Sequence, residues 1–101
     1  MKRSRNVQMC HPVEITQHAM LRLRERVGNY AGYRSWQDLA RTARYKGKTE
    51  SEMTDYEYDW CINNIRRSST SSQVRILNGF AFIFMGNRGH ARTLVTVIQI
   101  A

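Results

Sequence analysis

Residues 73–100 read QVRILNGFAFIFMGNRGHARTLVTVIQI, and this stretch decides the fold class. It holds three β-rich runs, near 73–77, 80–86 and 92–100. Asn78-Gly79 parts the first two, and the looser NRGH loop, residues 87–90, parts the last two. Asn-Gly is a strong hairpin signal because a type I′ turn needs positive φ at both central residues. A two-residue turn also fixes the register. Leu77 is expected opposite Phe80, Ile76 opposite Ala81, Arg75 opposite Phe82 and Val74 opposite Ile83. One face then gathers Val74, Ile76, Ala81, Ile83 and Met85 and reads as core. The other gathers Arg75, Leu77, Phe80, Phe82 and Phe84, an arginine among three phenylalanines. That face is either an open platform for base stacking or lies under helices, and cover by helices is the expectation.

Upstream of this stretch the pattern is helical. Thr16 reads as the N-cap of a helix reaching about Val27, with Gly28 as its stop. Ser35 and Asp38 open a second helix, SWQDLARTARYKG, stopped by Gly47 and burying Trp36, Leu39, Ala40 and Ala43. A third helix has Thr49 or Thr54 as alternative caps, acids in its first turns and Arg66 near its end. Residues 13–15 form a short strand or a lead-in. Residues 1–12 read as a flexible basic arm closed by Pro12, and residues 13–101 as a single domain. The expected class is α+β: N-terminal helices packed on a C-terminal antiparallel meander of three or four strands.

Charge narrows the partners. Sixteen Lys and Arg stand against eight Asp and Glu in 101 residues, a net charge of +8. Thirteen of the sixteen are arginine, whose planar fork matches phosphate and can stack on bases. The charge is segmented: residues 50–60 hold Glu50, Glu52, Asp55, Glu57 and Asp59 and no base, while residues 61–101 hold five arginines and no acid. RNA or another nucleic acid is the expected partner. No apolar run reaches membrane-spanning length, and the basic N-terminus has no apolar signal core, so neither a membrane nor secretion is expected. Cys10 and Cys61 are too few and too far apart for a disulfide framework, which fits reduced thiols in a cytoplasm.

Two constellations could carry chemistry. In ITQHAMLRLRERVG, residues 15–28, Met20, Leu23 and Val27 make a packing stripe, and His18, Arg22 and Arg26 follow one another at i, i+4, i+8 beside it. Such a row needs compensation from solvent, from Glu25 or from a bound anion. In NRGHARTL, residues 87–94, Arg88, His90, Arg92 and Thr93 sit on a loop and the start of a strand. Two histidines and several arginines are the parts of metal-free RNA cleavage. One group takes the ribose 2′-OH proton, another protonates the leaving oxygen, and arginines stabilise the crowded phosphorus. His18, His90 and Arg92 are the catalytic candidates. Arg22, Arg26, Arg75, Arg88 and Thr93 are the candidates for nucleic-acid contact. Neither a metal nor a cofactor is expected, since Cys10, His11, His18, Cys61 and His90 show no zinc spacing.

The phrase VEITQHAMLRLRERV resembles the openings of small RelE-like and BrnT-like proteins, where a strand leads into an H-A-x-x-R-x-x-x-R helix. The ending NGFAFIFMGNRGHARTLVTVIQI is similar to their terminal meander. The resemblance covers the first and last thirds of the chain, with residues 29–72 as a longer helical insert. It points to the group of barnase, EndoU, colicin-type and RelE-like ribonucleases. It implies a small cytoplasmic toxin that cleaves RNA without metal and is silenced by an antitoxin. His18, Arg22 and Arg26 match the helix pattern, and Arg92 and Thr93 the strand start.

The first functional expectation is therefore a metal-independent endoribonuclease. The second is a non-catalytic phage or mobile-element protein that binds nucleic acid or a nucleoprotein, such as an inhibitor of a CRISPR nuclease. The third is a protein–protein adaptor, with a homodimer formed through the last strand as one form.

Overall fold

The structure, a computed structural model, describes residues 11–30, 32–65, 72–86 and 92–100. Asn78 and Gly79 have φ of 53° and 81°, as the type I′ turn requires. They join β2 (Gln73–Leu77) to β3 (Phe80–Met85) in the expected register, from Leu77 opposite Phe80 to Val74 opposite Ile83. β3 pairs antiparallel with β4 (Thr93–Gln99). A register shift there sets Thr96 opposite Ile83 but Leu94 opposite Phe84, leaving Val95 as the extra residue of a bulge.

The sheet is mixed, which corrects the wholly antiparallel meander. β1 (Glu14–Ile15) runs parallel to β4, with Glu14 opposite Thr93 and Ile15 opposite Leu94, and the strand order is β1-β4-β3-β2. A parallel partner needs a long crossover, and the helices together with the β2–β3 hairpin supply it.

Each helix starts on a side-chain cap. Thr16 Oγ1 accepts from the Ala19 N–H at 3.0 Å at the head of α1 (Gln17–Arg22). The chain then widens into a π turn, Leu23–Val27, in which the Gly28 N–H reaches back to the Leu23 carbonyl at 3.0 Å. α2 (Trp36–Lys46) begins with Ser35 Oγ accepting from the Asp38 N–H at 3.1 Å, while the Asp38 carboxylate accepts from the Arg34 N–H. Both alternative caps of the third helix are used. Thr49 heads a 3₁₀ turn (Glu50–Glu52) and Thr54 heads α3 (Asp55–Asn64), each in a reciprocal capping box with the acid three residues on. α3 stops at Asn64, and the expected Arg66 lies outside the described residues.

Three layers result. α1, the π turn and α2 cover one face, where Ala19, Leu23, Leu39, Ala40 and Ala43 meet Phe82, Phe84, Leu94 and Val97. α3 covers the other, with Cys61, Trp60 and Ile65 against Val74, Ile76, Ala81 and Ile83. Both faces are core, and Phe82 and Phe84 lie buried under helices. Where α2 ends, Lys48 and Ile76 exchange backbone hydrogen bonds of 2.8 and 3.1 Å. A Cβ on Gly47 would stand 2.5 Å from the Ala43 carbonyl oxygen and 3.0 Å from the Arg75 Cβ. Glycine is what lets the helix stop so close to β2. Among the described residues no helix is long and apolar enough to cross a membrane.

Candidate functional site

The cationic row of the opening helix is not free to meet an anion as a unit. Arg22 Nη1 bonds Glu25 Oε1 at 2.7 Å, so Glu25 supplies the compensation that the row needs. The π turn carries Arg26 out of line, and its Nη1 donates to the Val97 carbonyl at 2.6 Å. Val97 lies beyond the two residues of β4, Thr93 and Leu94, with which β1 pairs. His18 is exposed, with Nε2 3.5 Å from Thr96 Oγ1, the outer limit of a hydrogen bond.

Arg75 stands at the far edge of the sheet. Its guanidinium is half-buried and donates to the Val74 carbonyl at 3.0 Å and to Gln73 Oε1 at 2.7 Å. Burial draws its pKa below the ordinary value, and repulsion from Arg44 adds to that, while Glu52 and Glu50 oppose it. Arg44, on α2, is likewise lowered by burial. Tyr45 opposes that shift and repulsion from Arg92 reinforces it. Arg44 thus stands within electrostatic reach of both Arg75 and Arg92, between β2 and β4. Thr93 lies beside Arg92 and donates to Glu14 Oε1 at 3.3 Å.

Arg44, which the sequence reading missed, is the residue whose charge acts on both Arg75 and Arg92. The helical spacing of Arg41 and Arg44, i and i+3 at the end of a capped helix, was the available signal. His18 stands apart from these arginines. It contacts Thr96, four residues along β4 from Arg92, which is roughly 13 Å of strand. Arg75 is two strands further across the sheet. A single phosphate does not bridge these positions. His90 and Arg88 lie outside the described residues, as does Cys10.

Layer by layer, the charge divides cleanly. Residues 17–46, which form the α1–α2 layer and its connection, carry seven basic and two acidic side chains. Residues 50–64, the 3₁₀ turn and α3, carry five acidic and no basic ones. Backbone N–H groups of Thr49 and Thr54 hold the Glu52 and Glu57 carboxyls below their ordinary range. Glu57 also meets Lys48 Nζ at 3.0 Å. Among the described residues no group of three or more His, Cys, Asp and Glu is placed to hold a metal ion.

Compared with known protein families, with curated proteins and with solved structures, the chain finds no match in any of the three.

Proposed function

We propose that this protein binds nucleic acid through its α1–α2 layer, gripping the phosphate backbone without cleaving it. The observation that carries this reading is the opposite charge of the two layers on either side of the sheet. A polyanion is drawn to the arginine-rich face and repelled by the acidic one, so it approaches in one orientation. Arg44 repels both Arg75 and Arg92, and these three are positive groups on which such a backbone would settle. A phosphate there relieves a repulsion that burial sharpens. Occupying a nucleic-acid or nucleoprotein site on behalf of a phage or mobile element is a role that suits such a binder.

The test is fluorescence anisotropy with a labelled single-stranded RNA across a salt series. Affinity should fall log-linearly with salt, and each phosphate contact removed should lower the slope by about 1. Arg24→Glu combined with Lys46→Glu, two exposed positions on this face, should weaken binding by at least about tenfold. Affinity indifferent to salt and to both reversals overturns the reading.

A second reading, metal-independent cleavage of RNA by a toxin held in check by an antitoxin, is favoured by the exposed His18 ring beside the Thr96 hydroxyl. Such chemistry needs a second acid–base group. Products ending in cyclic phosphate, formed in EDTA and lost in His18→Ala, would put cleavage in place of simple binding.

A further inference from the structure

We propose that the 3₁₀ turn and α3 form a docking groove for a basic amphipathic segment of a partner protein, in which an apolar anchor is flanked by lysines or arginines. A cavity of about 230 Å³ opens between these two elements, lined by Glu50, Met53, Tyr58, Cys61, Ile62 and Ile65. Tyr58, Cys61 and Ile62 recur on α3 at i, i+3 and i+4, so they share one side of the helix, and Ile65 follows as its C-cap. Cys61 turns inward and closes the groove on the sheet. Ile62 and Tyr58 do not, being 62% and 45% exposed at its lip. A lone exposed isoleucine is ordinary, but two large apolar side chains lining one cavity make a contact surface.

Charge identifies what covers it. Glu52 and Glu57 are committed to their capping boxes. Asp55 and Asp59 are not part of those boxes and are exposed, one helical turn apart, leading along α3 toward Ile62. Glu50 lies on the opposite wall. This is the anionic part of a chain whose net charge is +8, and it repels the nucleic acid proposed for the other face. A helix laid in a groove gains its affinity from apolar anchors and its selectivity and approach rate from complementary charge. The fitting partner is therefore cationic and anchored by one or two aliphatic side chains. This inference concerns the opposite face from the nucleic-acid proposal and does not rest on it.

The experiment uses the full chain and a synthetic helical peptide of leucine and lysine, with its leucine–glutamate counterpart as control, followed by calorimetry. The lysine peptide should bind and the glutamate peptide should not. Ile62→Ser should weaken binding by about tenfold, as loss of a central apolar anchor does. Asp55→Lys with Asp59→Lys should weaken it at least as much and flatten its salt dependence. Ile62 is exposed, so the unfolding midpoint of Ile62→Ser should stay near that of the parent chain, while Asp55→Lys in the first turn of α3 lowers its own midpoint somewhat. Peptide binding is therefore read well below either midpoint, and RNA affinity should not fall. Equal binding of the two peptides overturns the proposal, as does unchanged affinity in Ile62→Ser. RNA affinity lost in Ile62→Ser would assign the groove to nucleic acid instead. Self-association that sedimentation shows to vanish in Ile62→Ser would assign it to a second copy.

Discussion

The two helical layers lie on the same sheet but hold to it by different means. The α1–α2 layer meets the sheet through Leu23, Phe82, Phe84, Leu94 and Val97, all fully buried. Burying such a side chain contributes about 1.5–3 kcal/mol. The α3 layer has Cys61 as its single buried helical residue, and the sheet offers it the smaller Val74, Ile76, Ala81 and Ile83. Its Tyr58 and Ile62 point away from the core instead. Stability thus concentrates on the basic side of the sheet, while the acidic side leaves apolar surface exposed. The acidic layer is the one held less tightly.

The largest expected effect is on the basic side. Phe84→Ala should cost about 3–5 kcal/mol in urea unfolding and leave little folded protein, whereas Ile62→Ser should stay within about 0.5 kcal/mol. Similar losses from the two would erase the contrast between the layers. Next comes Thr54→Ala, which removes the hydroxyl of the α3 capping box and should cost about 1 kcal/mol. Native-state amide exchange sharpens this one: α3 amides should lose protection while those of β3 keep theirs. Equal loss in β3 would mean that α3 opens only with the whole domain.

The smallest effect is on acidification. The Glu52 and Glu57 carboxyls are held below their ordinary values by the Thr49 and Thr54 N–H groups. Their contribution is full above the unfolded carboxylate value of about 4.3 and is lost as pH falls through the lower folded values. Between about pH 5 and pH 3, the protection factors of α3 amides, corrected for the slower intrinsic exchange in acid, should therefore fall before those of α2, which the buried Leu39, Ala40 and Ala43 anchor. Simultaneous loosening of both helices would break the comparison.

How much of this was legible in the sequence depends on the range of the forces involved. Asn78-Gly79 fixed a register that the pairing reproduces residue by residue, because the turn's φ requirement is local. Ser35, Thr16 and Thr54 announced their helices for the same reason. The direction of β1 has no local signal, since two residues have no periodicity and their parallel partners, Thr93 and Leu94, stand at the other end of the chain. The bulge at Val95 and the π turn after Arg22 left no compositional mark. The site divides the same way. The acidic block and the arginine excess were visible as counts, but not that a sheet would come between them. Nor did sequence show that Arg26 and Arg75 would use guanidinium donors on the protein's own carbonyls.

The bond from Arg26 to the Val97 carbonyl bears on how the last strand would meet a second copy. Among the described residues β1 pairs with only the first two residues of β4, and an unpaired strand margin invites a neighbour to extend the ladder. A guanidinium planted on that margin takes up an acceptor that an incoming strand would need. It also sets like charge against like when a second molecule brings the same margin forward. A strand that paired here would first have to break the bond from Arg26.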